Sequence, residues 1–249
     1  MGASTKTLVS RRNVLRIGAF TGLGSALLPA FRAGKARASD CTAPDACYGA
    51  RPATPAAALQ ALVTGNQEWA AFSQSHPHED ATRRECVFNH GQSPFAAIIS
   101  CSDSRVPPEL VFDQGIGDLF VARVAGNGAT ATLAESLYYG TSHLCAGLIF
   151  VLGHSQCGAV IAAVESFPTG HKLEFVRLIY PAVKAARKIV GPPFPEQQVV
   201  QEAVRQNVLN VVRDLRNSPD FKPSVDNGTL LIAGGVYDLA TYLVDVVIQ

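Results

Sequence analysis

Short apolar runs that alternate with helical patterns are the feature that most constrains how this chain folds. "FAAIIS" (95–100), "LFVARV" (119–124) and "GLIFVLG" (147–153) read as strands, and "GTLLIAGGVYDL" (228–239) supplies a late one. Helical segments separate them. "TPAAALQALVTGNQEWAAF" (54–72) opens with Thr54 as N-cap and Pro55 at the first helical position, and its "GN" at 65–66 is a place for the helix to break or end. "TLAESLYYGTSHL" (132–144) carries a capping-box pattern from Thr132 to Glu135. "EFVRLIYPAVKAARKIV" (174–190) reads as a helix kinked at Pro181, and in "EQQVVQEAVRQNVLNVVRDL" (196–215) Val200, Val204, Val208, Val211 and Leu215 line one face. The alternation predicts an α/β fold with a mostly parallel central sheet flanked by helices. With 249 residues, 47% hydrophobic and 16% charged, the chain can bury a substantial core in a single domain, expected at 54–249.

The first 38 residues differ from the rest. They hold Lys6, Arg11, Arg12, Arg16, Arg32, Lys35 and Arg37 and no acid. Arg11 and Arg12 precede an uncharged run, Ile17 to Phe31, and "ARA" at 36–38 offers small residues for cleavage. This resembles a twin-arginine export signal, so 1–38 is expected to be a cleavable signal peptide handled by the twin-arginine machinery, and 39–53 a flexible mature N-terminus. The expected destination is the bacterial periplasm. A run of 15 residues is shorter than the roughly 20 of a spanning helix, so no stable membrane anchor is expected after cleavage.

Removing those seven basic residues from the total of 21 leaves 14 against 20 acids, a net charge of about −6 that argues against a nucleic-acid partner. The six cysteines divide by setting. Cys41 and Cys47 sit in the Pro/Gly-rich "DCTAPDACYG", where they either bridge each other or stay free. Cys86 and Cys145 read as isolated thiols, the second buried in an apolar helical pattern. Cys101 and Cys157 are different.

Two strands run directly into residues that bind metals: "CSD" follows 95–100 and "GHSQC" closes 147–153. In an open parallel sheet those strand ends share one edge, and ligand sites form outside the carboxyl ends of strands. Cys101, Asp103, His154 and Cys157 then make a thiol, carboxylate and imidazole set suited to tetrahedral zinc. Gly153 permits a tight turn, and Cys157 is expected in the first turn of the next helix, where the dipole favours its thiolate. Each short motif alone is ordinary; their joint position after two strands is the signal. A phosphatase-type loop is set aside, because three residues between Cys101 and Arg105 are fewer than that chemistry needs.

"CSDSRVPPELVFDQGIGDLFVARVAGN" followed by "GHSQCGAV" resembles the β-class carbonic anhydrases, and the resemblance runs from "GNQEW" at 65–69 to "GGVYDLAT" at 234–241. The resemblance implies reversible hydration of carbon dioxide to bicarbonate and a proton by attack of zinc-bound hydroxide. It also implies a homodimer or a multiple of dimers, with an N-terminal helical arm packed on the partner. Cys101, His154 and Cys157 match the family's zinc ligands, and Asp103 and Arg105 its catalytic dyad; Asp103 joins the metal only in a closed state. Gln92, Phe120, Tyr139 and Gly158 match substrate-pocket positions, some of them contributed across the dimer. Arg123 and Tyr237 match positions given only a structural or anion-binding role.

Val124 stands where the family usually has asparagine, and Ile98 replaces the tryptophan that marks members with a noncatalytic bicarbonate pocket, so the open geometry with Asp103 off the metal is expected. Two other functions compete. Hydrolysis of carbonyl sulfide or carbon disulfide would use the same ligands. A purely structural zinc site would not need Asp103, Arg105 or Gln92.

Overall fold

The computed structural model describes Cys47 and residues 51–249. The export-signal reading of 1–38 and Cys41 therefore fall outside the described residues. Helix α1 (Pro55–Ala70) is followed by α2 (Ala81–His90), β1 (Ala96–Ser100), α3 (Pro108–Val111), β2 (Leu119–Arg123), α4 (Ala131–Ser142) and β3 (Leu148–His154). Then come α5 (Gly158–Ser166), α6 (Glu174–Arg177), α7 (Tyr180–Val190), α8 (Glu196–Asn217), α9 (Lys222–Asp226), β4 (Leu231–Tyr237) and β5 (Val244–Ile248). The five strands form one sheet in the order β2-β1-β3-β4-β5, parallel except for the antiparallel β4–β5 pair.

Continuous apolar strands follow from burial on both faces of that sheet. Ile98, Leu148, Phe150 and Leu152 meet Ala58, Leu59 and Leu62 of α1 on one side, while Ala97, Ile99, Ile149 and Val151 meet Leu137 of α4 and Val208, Val211, Val212 and Leu215 of α8 on the other. Val200 is only half-buried, and Val199 and Ala203 complete the inward stripe of α8 instead. Gly153 is a strand residue here. Its freedom serves close packing rather than a turn, because a Cβ there would lie 2.6 Å from Val208 Cγ2 on α8.

Helix α1 starts as expected: Thr54 Oγ1 accepts from the Ala57 N–H at 3.1 Å, and Pro55 loses nothing by lacking a donor in the first turn. The helix does not break at "GN". Gly65 lies against the chain that leaves α3, where a Cβ would meet the Phe112 carbonyl oxygen at 1.8 Å. Asn66 Nδ2 donates to the carbonyls of Val111 (3.1 Å) and Tyr242 (3.0 Å), and its Oδ1 accepts from Val244 N–H at 2.7 Å. Both residues therefore bind the helix to its neighbours. Gly65→Ala is expected to destabilise the domain by about 3 kcal/mol through overpacking against backbone, lowering the midpoint of thermal unfolding by roughly 5–10 °C. Circular dichroism melting of the variant checks this.

Several expectations change. Helix α4 begins two residues early, with Thr130 rather than Thr132 as N-cap and no side-chain cap bond, so Thr132 is inside the first turn and the capping box does not form. The segment with Pro181 is two helices rather than one kinked helix; Pro181 falls in the first turn of α7, where no donor is required. Cys47 pairs with Cys86, not Cys41, at a Cα–Cα separation of 5.5 Å. Cys145 is neither a free thiol nor helical: it follows α4 with φ 62°, is half-buried and is disulfide-bonded. Within the stretch expected to be flexible, Cys47 is held by that disulfide and Arg51 donates to Ser93 Oγ. Among the described residues no helix is long and apolar enough to cross a membrane.

Candidate active site

Parallel register builds the site. Ser100 pairs with Leu152, so Cys101, one residue past β1, and His154, at the end of β3, emerge side by side at the carboxyl edge of the sheet. The chain then turns through Gln156, which has φ 54°, and Cys157 becomes the N-cap of α5 rather than a residue of its first turn. The Sγ atoms of Cys101 and Cys157 are 3.9 Å apart, and the donor atoms of Cys101, His154 and Cys157 all lie within 4.8 Å of one another. All three residues are buried.

The donors suit zinc. Two sulfurs bound at about 2.3 Å with a tetrahedral angle stand roughly 3.8 Å apart, close to the separation found. His154 Nδ1 lies 2.9 Å from the Ser155 carbonyl oxygen, which only accepts, so Nδ1 carries the proton. Nε2 is left with a bare lone pair, fully buried and without a hydrogen-bond partner among the described residues. An orphaned acceptor beside two thiols is costly unless a cation takes its lone pair. The thiols are unequal. Cys101 is pushed down to about 4, first by its hydrogen bond from Cys157, with further help from the Gly126 N–H 3.3 Å away. Cys157 is pushed up, by the same contact with Cys101 and by burial.

Asp103 stands at the mouth of this cluster. Arg105 grips its carboxylate as a fork, Nε to Oδ1 at 2.9 Å and a terminal nitrogen to Oδ2 at 2.7 Å, and the Arg105 backbone N–H adds a third bond at 3.0 Å. The fork holds the Asp103 carboxyl well below the usual carboxylate range. Its Oδ2 is 3.8 Å from His154 Nε2, and Asp103 is not part of the three-donor cluster.

Arg123 matters more than its side-chain type suggested. It donates to the backbone carbonyls of Cys101 (2.9 Å), Asp103 (2.6 Å) and Val106 (3.2 Å), stapling the loop that carries the thiol and the dyad. Such a role has no motif, since a guanidinium that reads carbonyl oxygens leaves no partner residue type in the sequence. Val124 acts through backbone alone, exchanging bonds with Ser100 and Ser102 and accepting from Asn127. Tyr237 is structural: it is buried, and its hydroxyl accepts from Trp69 Nε1 at 3.0 Å.

The pocket residues separate into two groups. Gly158 opens α5 beside Cys157, with open space where a side chain would be. Gln92 is exposed and precedes β1, at the opposite end of the strand from Cys101. Phe120 pairs in register with Ala97, four residues and about 13 Å of strand before Cys101. Its ring is 6.1 Å from that of Tyr139, which is 45% exposed. This chain does not bring Gln92, Phe120 and Tyr139 to its own cluster.

A buried thiol–imidazole donor cluster with an arginine-oriented carboxylate, set at the carboxyl edge of a parallel sheet, defines an α/β enzyme equipped to hold a metal. The family model described as carbonic anhydrase matches residues 96–244. The chain is 35% identical over 191 residues to carbonic anhydrase 2 of Mycobacterium tuberculosis, covering 74% of this chain and 89% of that one. Among solved structures, the β-carbonic anhydrase CcaA is 29% identical with a TM-score of 0.58, covering 77% of this chain and 92% of its own. A β-carbonic anhydrase described as tetrameric, from Sordaria macrospora, shares the fold at 22% identity and a TM-score of 0.57, over 76% of this chain and 96% of that one. This chain belongs to the carbonic anhydrase family, in its β class, and its reaction is the hydration of carbon dioxide.

Proposed function

We propose that this carbonic anhydrase works with zinc held by Cys101, His154 and Cys157, with Asp103 and Arg105 as the catalytic dyad. The observation that carries the reading is the bare, buried Nε2 of His154, set among two thiols and beside an oriented carboxylate. When bound, zinc supplies Lewis-acid chemistry that makes water a competent nucleophile near neutral pH. The protein supplies the rest. Arg105 keeps Asp103 ionised, so its carboxylate only accepts hydrogen bonds. Asp103 takes a hydrogen bond from the attacking water and turns a lone pair toward the carbon of carbon dioxide. Because both carboxylate oxygens are occupied by Arg105, the geometry favours Asp103 off the metal. The backbone N–H of Gly158, at the start of α5, is free to donate to a substrate oxygen.

Gln92, Phe120 and Tyr139 belong in this reading to the pocket of a second copy of the chain, which accounts for the exposure of Gln92 and Tyr139 and for the distance of Gln92 and Phe120 from Cys101. The working enzyme is then a homodimer or a multiple of dimers, and β2, at the edge of the sheet among the described residues, is a surface for assembly. Export through the twin-arginine route to the periplasm completes the reading, supported by the Cys47–Cys86 disulfide, a bond that persists in oxidising compartments.

Stopped-flow hydration of carbon dioxide by the mature, zinc-loaded chain tests the proposal. Turnover rising with pH through the neutral range is expected. A fully metallated, folded protein that is inert toward carbon dioxide at alkaline pH but consumes carbonyl sulfide would assign the site to that substrate instead.

A further inference from the structure

The Cys47–Cys86 disulfide sits in a network that ends at the pocket residues. Cys86 lies on α2, six residues before Gln92. The carbonyl of its partner Cys47 accepts from Arg83, a side chain only 3% exposed. Arg83 also donates through Nε to the Ile116 carbonyl at 2.6 Å and pairs with Asp118 Oδ1 at 2.8 Å. Asp118 is buried and fully engaged: Oδ2 lies 2.6 Å from His78 Nδ1 and accepts from the Gly115 N–H at 3.0 Å, and its backbone carbonyl accepts from Phe95. Two residues beyond Asp118 is Phe120. Four residues after Cys47, Arg51 donates to Ser93 Oγ, immediately beside Gln92.

Arg51 thus reaches the segment that carries Gln92 directly, and Cys47 reaches residues 115–118, which lead into β2 and Phe120, through Arg83. Among the described residues Gln92 makes no hydrogen bond. It lies in the coil between α2 and β1 and is exposed, so its placement depends on the anchors on either side. A side chain that must reach substrate within a fraction of an ångström needs a rigid base. We infer that the Cys47–Cys86 disulfide, acting through Arg83 and Arg51, is a positioning device for Gln92 and, with it, for the substrate pocket. The inference rests on the reading above that Gln92 contacts substrate.

The experiment is a double-mutant cycle on the zinc-loaded mature enzyme, with kcat/KM for carbon dioxide hydration and zinc per chain measured together. Cys86→Ser is expected to lower kcat/KM about tenfold, within the range lost when supporting contacts of a site are removed, while zinc per chain stays unchanged. In a Gln92→Ala background the same change should lower kcat/KM by less than about twofold, because the group being positioned is already gone. Ser93→Ala, which removes the hydroxyl that accepts from Arg51 without touching the disulfide, should give a smaller loss of the same kind and keeps the test valid should Cys86→Ser fail to fold. Hydrogen exchange should quicken in 78–95 and 115–118 and not around Cys101 or Cys157. A purely structural disulfide would lower thermal stability and leave kcat/KM unchanged, or would act equally in both backgrounds; either result overturns the inference. Full activity in Gln92→Ala alone would overturn the pocket reading itself, and the positioning role with it.

Discussion

Replacing His154 with alanine is expected to empty the metal site and lower kcat/KM by at least about 1,000-fold, since without a Lewis acid water is a poor nucleophile at neutral pH. The argument starts from the ring. His154 is fully buried, its Nδ1 proton is committed to the Ser155 carbonyl, and Nε2 is the only donor atom that the imidazole can offer. Losing it leaves two thiols 3.9 Å apart and no third protein ligand in the cluster. Zinc analysis by mass spectrometry should fall from about one per chain to near zero, and both thiols should become reactive toward a disulfide reagent. Retention of stoichiometric zinc with substantial activity would show that His154 is no ligand.

Asp103→Ala should separate metal binding from rate. The three-donor cluster does not include Asp103, so zinc is expected to remain at about one per chain while kcat falls by roughly 100- to 10,000-fold, the range for losing a positioned acid–base partner. The pH profile adds a second check. Arg105 depresses the Asp103 carboxyl in the folded state, so the carboxylate stays charged throughout the neutral range and protonates only as pH falls through that lowered value. Any stability the ion pair contributes is present above the ordinary carboxylate pKa and disappears on the acid side. Between pH 6 and 9 the variant should therefore lower the height of the activity profile without moving its inflection. An emptied metal site in Asp103→Ala would make Asp103 a structural ligand and remove the dyad from the proposal.

The site was legible because its chemistry is local. Cys101 and Asp103 follow one strand, His154 and Cys157 follow another, and a parallel sheet brings two such ends together whatever the rest of the chain does. Helices α1, α4, α7 and α8 and the first four strands were legible for a similar reason, since burial on one or two faces leaves its period in the sequence. What was missed has no such imprint. Helix α2 buries only Arg83, so "ATRRECVFNH" shows no apolar stripe, and Asp80 as its N-cap is one acid among several. Strand β5, "VDVVI", is a partly exposed edge that exists because β4 offers it a partner. The pairing of Cys47 with Cys86 depends on where α2 docks, and the anchoring of Asn66 depends on carbonyls 45 and 176 residues away. Neither is a property of neighbouring residues.

The placement of the donors on adjacent central strands also decides when a metal can act during folding. Cys101 meets His154 and Cys157 only after residues 96–100 have paired with 148–152, a closure spanning about fifty residues and a helical crossover. Before that contact is made, the chain presents one local pair, His154 and Cys157, without its second thiol, which is 56 residues away. A metal at this site therefore cannot nucleate the fold, as it does in small zinc domains whose ligands lie close along the chain. A metal that binds only once this closure is made contributes its binding energy mainly to the unfolding rate, and so acts as a lock on a finished structure.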